Sequence, residues 1–133
     1  MTESLTPVVR ALVVASLLAA TATVMLVVAA TARAAGALAV NNCGAFGEAY
    51  GFSTIVAAKA SAMSKCLDRG CKVVITIRRA CAAFAVDYKK PCGPQGWAWA
   101  GSLGQAQNAA LKSCYRYGGK ECVIRTFVCD AKS

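Results

Sequence analysis

The sequence predicts an α+β fold: two pseudo-symmetric strand–strand–helix–strand repeats forming one disulfide-stapled domain, with a mainly antiparallel sheet and two helices. Three observations predict it. Residues 82–129 repeat the pattern of residues 36–81. Each half carries four of the eight cysteines, in corresponding places. Each half also reads as two short apolar runs, a helical stripe and a run rich in β-branched residues.

The halves align over most of their length. GALAV at Gly36–Val40 matches AAFAV at Ala82–Val86, and CGAFGEAYGFS at Cys43–Ser53 matches CGPQGWAWAGS at Cys92–Ser102 without a gap. AMSKC at Ala62–Cys66 matches ALKSC at Ala110–Cys114, and CKVVITIRRAC at Cys71–Cys81 matches CVIRTFVC at Cys122–Cys129 more loosely. Two copies are too few for a solenoid, which needs three or more. They suit one domain with an approximate two-fold axis.

The elements follow in order. Residues 1–34 read as a signal peptide: a polar start with one Arg, a long uncharged apolar stretch, and small residues at Ala32 and Ala34 that match a peptidase site. The apolar run also reaches spanning length, so the alternative is an uncleaved anchor over 11–32. Residues 35–133 form the exported domain. Gly36–Asn41 and Ala82–Asp87 are the first strand of each repeat, and Glu48–Phe52 and Gly96–Gly101 the second, with GAFGEAYG taken as a hairpin turn. Ser53 and Ser102 are the expected helix N-caps. Val56, Ala60, Met63 and Leu67 fall on one face of the first helix, and Leu103, Ala106, Ala110 and Cys114 on one face of the second. Gly70 and Gly118–Gly119 are natural stops. KVVITIR and CVIRTFV return as strands. Stripes this rich in Ala bury little area, which is why a domain of this size would need disulfides.

These residues carry a resemblance. GALAV, GEAYGFS, AMSKC, CKVV, CAAFAV, GWAWAG, ALKSC and the final Cys129, in that order, resemble the domain of unknown function 4189 family over Gly36–Cys129. The resemblance implies export from a bacterial cell and a small cysteine-containing α+β domain. It implies no reaction and therefore no catalytic residue. Cys43, Cys92, Cys114 and Cys122 go beyond the family's usual cysteines.

An even cysteine count in a short exported chain reads as a disulfide framework. Zinc is the weaker alternative, since the chain has no His and no C-x-x-C pair; no metal or other cofactor is expected. Following the chain up the first strand, down the second, up the helix and down the third places Cys43, Cys66, Cys71, Cys92, Cys114 and Cys122 at one end. Cys81 and Cys129 lie at the other. The expected bonds are Cys66–Cys71, Cys114–Cys122, Cys81–Cys129 and Cys43–Cys92, the alternative being an exchange among the six that share an end.

Function is less constrained. The chain has 15 Lys and Arg against 6 Asp and Glu, a balance that draws a protein outside the cytoplasm to anionic surfaces. Catalysis has few candidates: without His, and with oxidised cysteines, only a carboxylate pair is left. Glu48 and Asp87 are the candidates for such a pair, in a hydrolase of an envelope polymer; Asp68 and Asp130 read as solvated. No catalytic residue is assigned. Trp97 and Trp99 share one face of their strand. They are expected to fill the space left by an Ala-rich helix, and if exposed would stack on sugars or bases. The up-and-down topology gathers Arg69, Lys72, Lys89, Lys90, Arg116 and Lys120 into a basic rim at the helix C-terminal end, with Arg78 and Arg79 opposite. The expectation is a non-catalytic binding or inhibitory module, secreted or periplasmic. Its partner would be an anionic envelope polymer or another protein, with nucleic acid left open.

Overall fold

In the computed structural model the described residues are 6–18 and 34–130. They fall in two units, the first of which contributes one helix, α1, over residues 7–18. The expected cleavage motif at Ala32 and most of the 11–32 apolar run lie outside the described residues. No helix among those described is long and apolar enough to cross a membrane.

The second unit holds both repeats. Its elements are β1 (Ala35–Val40), β2 (Phe46–Phe52), α2 (Ile55–Lys65), β3 (Lys72–Ile77), β4 (Cys81–Asp87), β5 (Gln95–Ala100), α3 (Leu103–Arg116) and β6 (Cys122–Cys129). Each repeat builds its own antiparallel three-stranded sheet, ordered β2-β1-β3 and β5-β4-β6. The first strand of each repeat is central and buried along its whole length.

Alternation along those central strands builds four layers. Leu38 and Val40 of β1, with Ala82, Phe84 and Val86 of β4, join Ile75, Ile77 and Val128 in a core between the two sheets. The odd-numbered residues point the other way. Ala35, Ala37 and Ala39 pack with Ala58 and Ala62 of α2, and Ala83 and Ala85 with Ala106 and Ala110 of α3. The order is helix, sheet, sheet, helix, with β2 near β6 and β3 near β5.

Alanine lines both helix–sheet layers because the helices lie very close. A Cβ added at Gly47 of β2 would stand 2.0 Å from the Ala62 carbonyl oxygen, and one at Gly96 of β5 2.4 Å from that of Ala110. Each helix therefore rests directly on a strand glycine, and only small residues fit beneath it.

That closeness corrects the first helical stripe. Val56, Ala60, Met63 and Leu67 are all exposed, Leu67 at 92%. The inward face is Ile55, Ala58, Ala62 and Cys66, one residue out of phase with the bulky set. The second stripe lies inward as expected. The cap moves as well. Thr54, not Ser53, accepts from the Ala57 N–H, because the first repeat has one extra residue before its helix. Ser102 caps α3 by accepting from Gln105. GAFGEAYG is mostly strand: the turn ends at Ala45, and Gly44 supplies its positive φ of 83°.

All eight cysteines are paired, as Cys43–Cys92, Cys66–Cys71, Cys81–Cys129 and Cys114–Cys122. These are the bonds the chain direction gives. Two of them close one helix–strand loop each. Cys43–Cys92 joins the two repeats across 49 residues. Cys81, expected at the end of the first repeat, instead opens β4, so Cys81–Cys129 ties β4 to its neighbour β6 within the second sheet, across 48 residues. Loops that long correspond to about 4 kcal/mol each in the chain-entropy account. Four disulfides and no free thiol fit an oxidising compartment.

Candidate functional site

The end of the domain that carries the hairpin turns and helix C-termini is organised by one buried polar side chain per repeat. In the first repeat it is Asn41. Its Oδ1 accepts from the Cys43 and Ala45 N–H groups at 2.9 Å each, and its Nδ2 donates to the Arg69 carbonyl at 3.2 Å. The β1–β2 turn is thus tied to the α2–β3 loop. In the second repeat the corresponding residue is Asp87. Its Oδ1 accepts from Lys89 at 2.9 Å and Lys90 at 3.2 Å, and its Oδ2 from Lys120 at 2.8 Å and Glu121 at 3.4 Å. The Lys120 N–H above all holds its carboxyl below the ordinary range. The burial of Asp87 opposes this, and the other three N–H groups reinforce it. Cys43–Cys92 then joins the two turns to each other.

This frame fixes the basic residues. Lys89, Lys90 and Lys120 line one cavity of about 250 Å³ with Asp87, Glu121, Gly118 and Pro94. Lys89 Nζ pairs with Glu121 at 3.0 Å; among the described residues neither Lys90 nor Lys120 has an ion pair. Arg69 lies in the loop that Asn41 holds, Lys72 begins β3, and Arg116 ends α3. All six side chains are exposed, but only the three lysines share a cavity.

Beside that cavity is a larger cleft of about 700 Å³, lined by Asn42, Cys92, Gly93, Pro94, Gln95, Gly96, Trp97, Ser113 and Tyr117. Pro94 belongs to the walls of both. Trp97 is 39% exposed and Trp99 64%, which overturns their expected place in the core. Two features keep them out. β5 is an edge strand, and its register turns Gly96, Ala98 and Ala100 towards α3 and both indoles to the opposite face. Tyr117, the C-cap of α3, forms another part of the cleft wall and is 72% exposed. Sequence reasoning passed over Tyr117, Gln95 and Asn42. The signal for Tyr117 was available: an aromatic immediately before Gly118, where the helix was expected to stop.

Glu48 and Asp87 are not brought together. Glu48 accepts a hydrogen bond from the Thr126 hydroxyl and lines a separate cavity of about 440 Å³ with Tyr50, Arg125 and Phe127. Thr126 stands opposite Phe84, three residues down β4 from Asp87 and so roughly 10 Å away. Arg125 donates to the Gly44 carbonyl at 3.2 Å and lies 5.7 Å over the Phe46 ring. Asp130, expected to be solvated, is buried; its Oδ1 accepts from the Ala80 N–H at 2.8 Å. Among the described residues no three Cys, Asp or Glu side chains converge as metal ligands would.

The model of one protein family, described as a domain of unknown function (DUF4189), matches residues 35–129. No curated protein and no solved structure matches the chain.

Proposed function

The chain belongs to the DUF4189 family of domains of unknown function, so no reaction comes with its fold, and we propose that it is a non-catalytic binding or inhibitory module for an anionic envelope partner. The observation that carries this reading is the cavity lined by Lys89, Lys90 and Lys120, whose backbone N–H groups all donate to Asp87. Two cations without ion pairs, fixed by their backbone at a loop-built end, are available to an incoming anion. The hydrolase reading has less support, since all four N–H contacts of Asp87 serve the fold and Glu48 is engaged by Thr126. Export fits the disulfides, and we place the working protein in the periplasm or outside the cell, with cleavage after Ala34.

The test is salt-gradient elution of the full chain from isolated envelope fractions. The protein is expected to bind at low salt and to release as salt rises. Lys89→Gln, Lys90→Gln and Lys120→Gln combined should bring elution clearly earlier. Binding that persists unchanged at low and high salt in that variant would show the three lysines to be only solvated charge.

A further inference from the structure

The large cleft holds features that charge alone does not explain. Its lining brings two aromatic residues, Trp97 and Tyr117, together with the polar residues Asn42, Gln95 and Ser113. Each of those polar groups can both donate and accept. A sugar ring has the complementary surface: an apolar face of C–H groups that stacks on an aromatic ring, edged by hydroxyls that also donate and accept. The volume of about 700 Å³ lies in the range of small-molecule sites. Trp99 continues the aromatic row two residues along β5, about 6.8 Å from Trp97.

The neighbouring cavity adds charge. Lys90 and Lys120 line that cavity together with the same Pro94, with Lys89 paired to Glu121 and the Asp87 charge taken up by backbone N–H groups. The cleft wall itself carries no Lys or Arg. A single-stranded nucleic acid needs cations along its whole backbone beside the stacking rings, and this arrangement does not supply them.

We propose that this end of the domain binds a segment of an acidic polysaccharide. One sugar stacks on Trp97 in the cleft, Gln95 and Asn42 hydrogen-bond its hydroxyls, and an acid group further along the chain lies across Pro94 at Lys90 and Lys120. This rests on the anionic-partner reading above. Asn42 comes from the first repeat and the rest of the cleft from the second, and the Cys43–Cys92 bond holds the two parts together.

The experiment titrates the full chain with three polyanions matched in charge: alginate, polyglutamate and poly(dT). Tryptophan fluorescence and calorimetry supply the signals. Alginate should bind about tenfold more tightly than either of the others. Trp97→Ala should remove that advantage, again about tenfold, while Trp97→Phe keeps most of it. Lys90→Gln with Lys120→Gln should weaken alginate binding and flatten its salt dependence. Should Trp97→Ala fail to fold, Tyr117→Ala, at an exposed helix end, carries the same expectation. Polyglutamate or poly(dT) binding as tightly as alginate would overturn the proposal, as would full alginate affinity in both aromatic variants. Loss of binding in the lysine variant together with indifference to Trp97 would leave the anionic-partner reading standing and remove the glycan.

Discussion

On β2 the residues facing the second sheet are Phe46, Glu48 and Tyr50; the corresponding residues of β5 are Gln95, Trp97 and Trp99. The two strands occupy equivalent edges, yet their surroundings differ. Above β2 lies β6, whose Thr126 donates to Glu48 and whose Arg125 covers Phe46 and reaches Gly44. Above β5 lies β3, where the residues corresponding to Arg125 and Thr126 are Val74 and Ile75. One edge is thus closed by polar contacts between the repeats, and the other keeps two exposed indoles. What the repeats share is the frame: a strand glycine under the helix, a hydroxyl N-cap, a disulfide across each helix–strand loop and a buried side chain tying turn to loop. Having two copies of the frame lets one edge lock the sheets together while the other is left to carry a binding surface.

The largest expected effect comes from breaking the shared frame. Gly47→Ala would drive a methyl to within 2.0 Å of a backbone oxygen of α2, and Gly96→Ala to within 2.4 Å of one in α3. Neither obstacle is a flexible side chain, so each helix must lift from its sheet. A loss of about 3 kcal/mol is expected for Gly47→Ala and somewhat less for Gly96→Ala. Urea unfolding with the disulfides intact measures both. Equal stability to the parent in either variant would mean that the helices are not seated on these glycines.

The next effect separates the repeats by pH. Asp87 is held below its ordinary value of 3.8, first by the Lys120 N–H. A carboxylate with a depressed native pKa stabilises the fold above its unfolded pKa and loses that contribution as pH falls through the native value. Asp87→Asn should therefore lower the thermal midpoint at neutral pH, with the gap to the parent closing below about pH 4. The exchange in the other repeat, Asn41→Asp, should also destabilise at neutral pH, because one new oxygen would face the Arg69 carbonyl. Midpoints measured from acid to neutral pH test the pair, and a gap for Asp87→Asn that widens in acid contradicts the assigned role.

How much of this was legible depended on what each residue type announces. The repeat, the succession of elements along it and the disulfides follow from chain direction and from cysteines that have few places to go. The basic residues could be assigned to one end because they sit in turns. The exposure of Trp97 and Trp99 could not be seen, because it depends on β5 being an edge and on which of its faces meets α3, and alternation alone tells neither. The burial of Asp130 was equally hidden, since its partner is the backbone N–H of Ala80, fifty residues away. The three lysines were recoverable from the sequence, whereas the cleft beside them, built from Asn42, Gln95, Ser113 and Tyr117, needed the fold.

The smallest effect tests the helix phase, where the two repeats gave opposite outcomes. In α3 the apolar residues and the close-packed face coincide. In α2 they coincide only at Ile55: Val56 and Met63 of the helix, and Leu67 just beyond it, are 78%, 39% and 92% exposed. Hydrophobicity alone chose the wrong face because the strand glycine admits nothing larger than Ala opposite it. Aligning Cys66 with Cys114 gives the correct one, since it sets Ile55, Ala58 and Ala62 against Leu103, Ala106 and Ala110. Val56→Gln and Leu67→Gln should each change stability by no more than about 0.5 kcal/mol, as surface substitutions do. Thr54→Ala, which removes the cap, should cost about 1 kcal/mol, and Ser53→Ala close to nothing. Chemical unfolding of the four variants decides the phase. A loss of about 2 kcal/mol or more for Leu67→Gln would be the signature of a buried leucine and would turn α2 back onto the face that its bulky residues suggest.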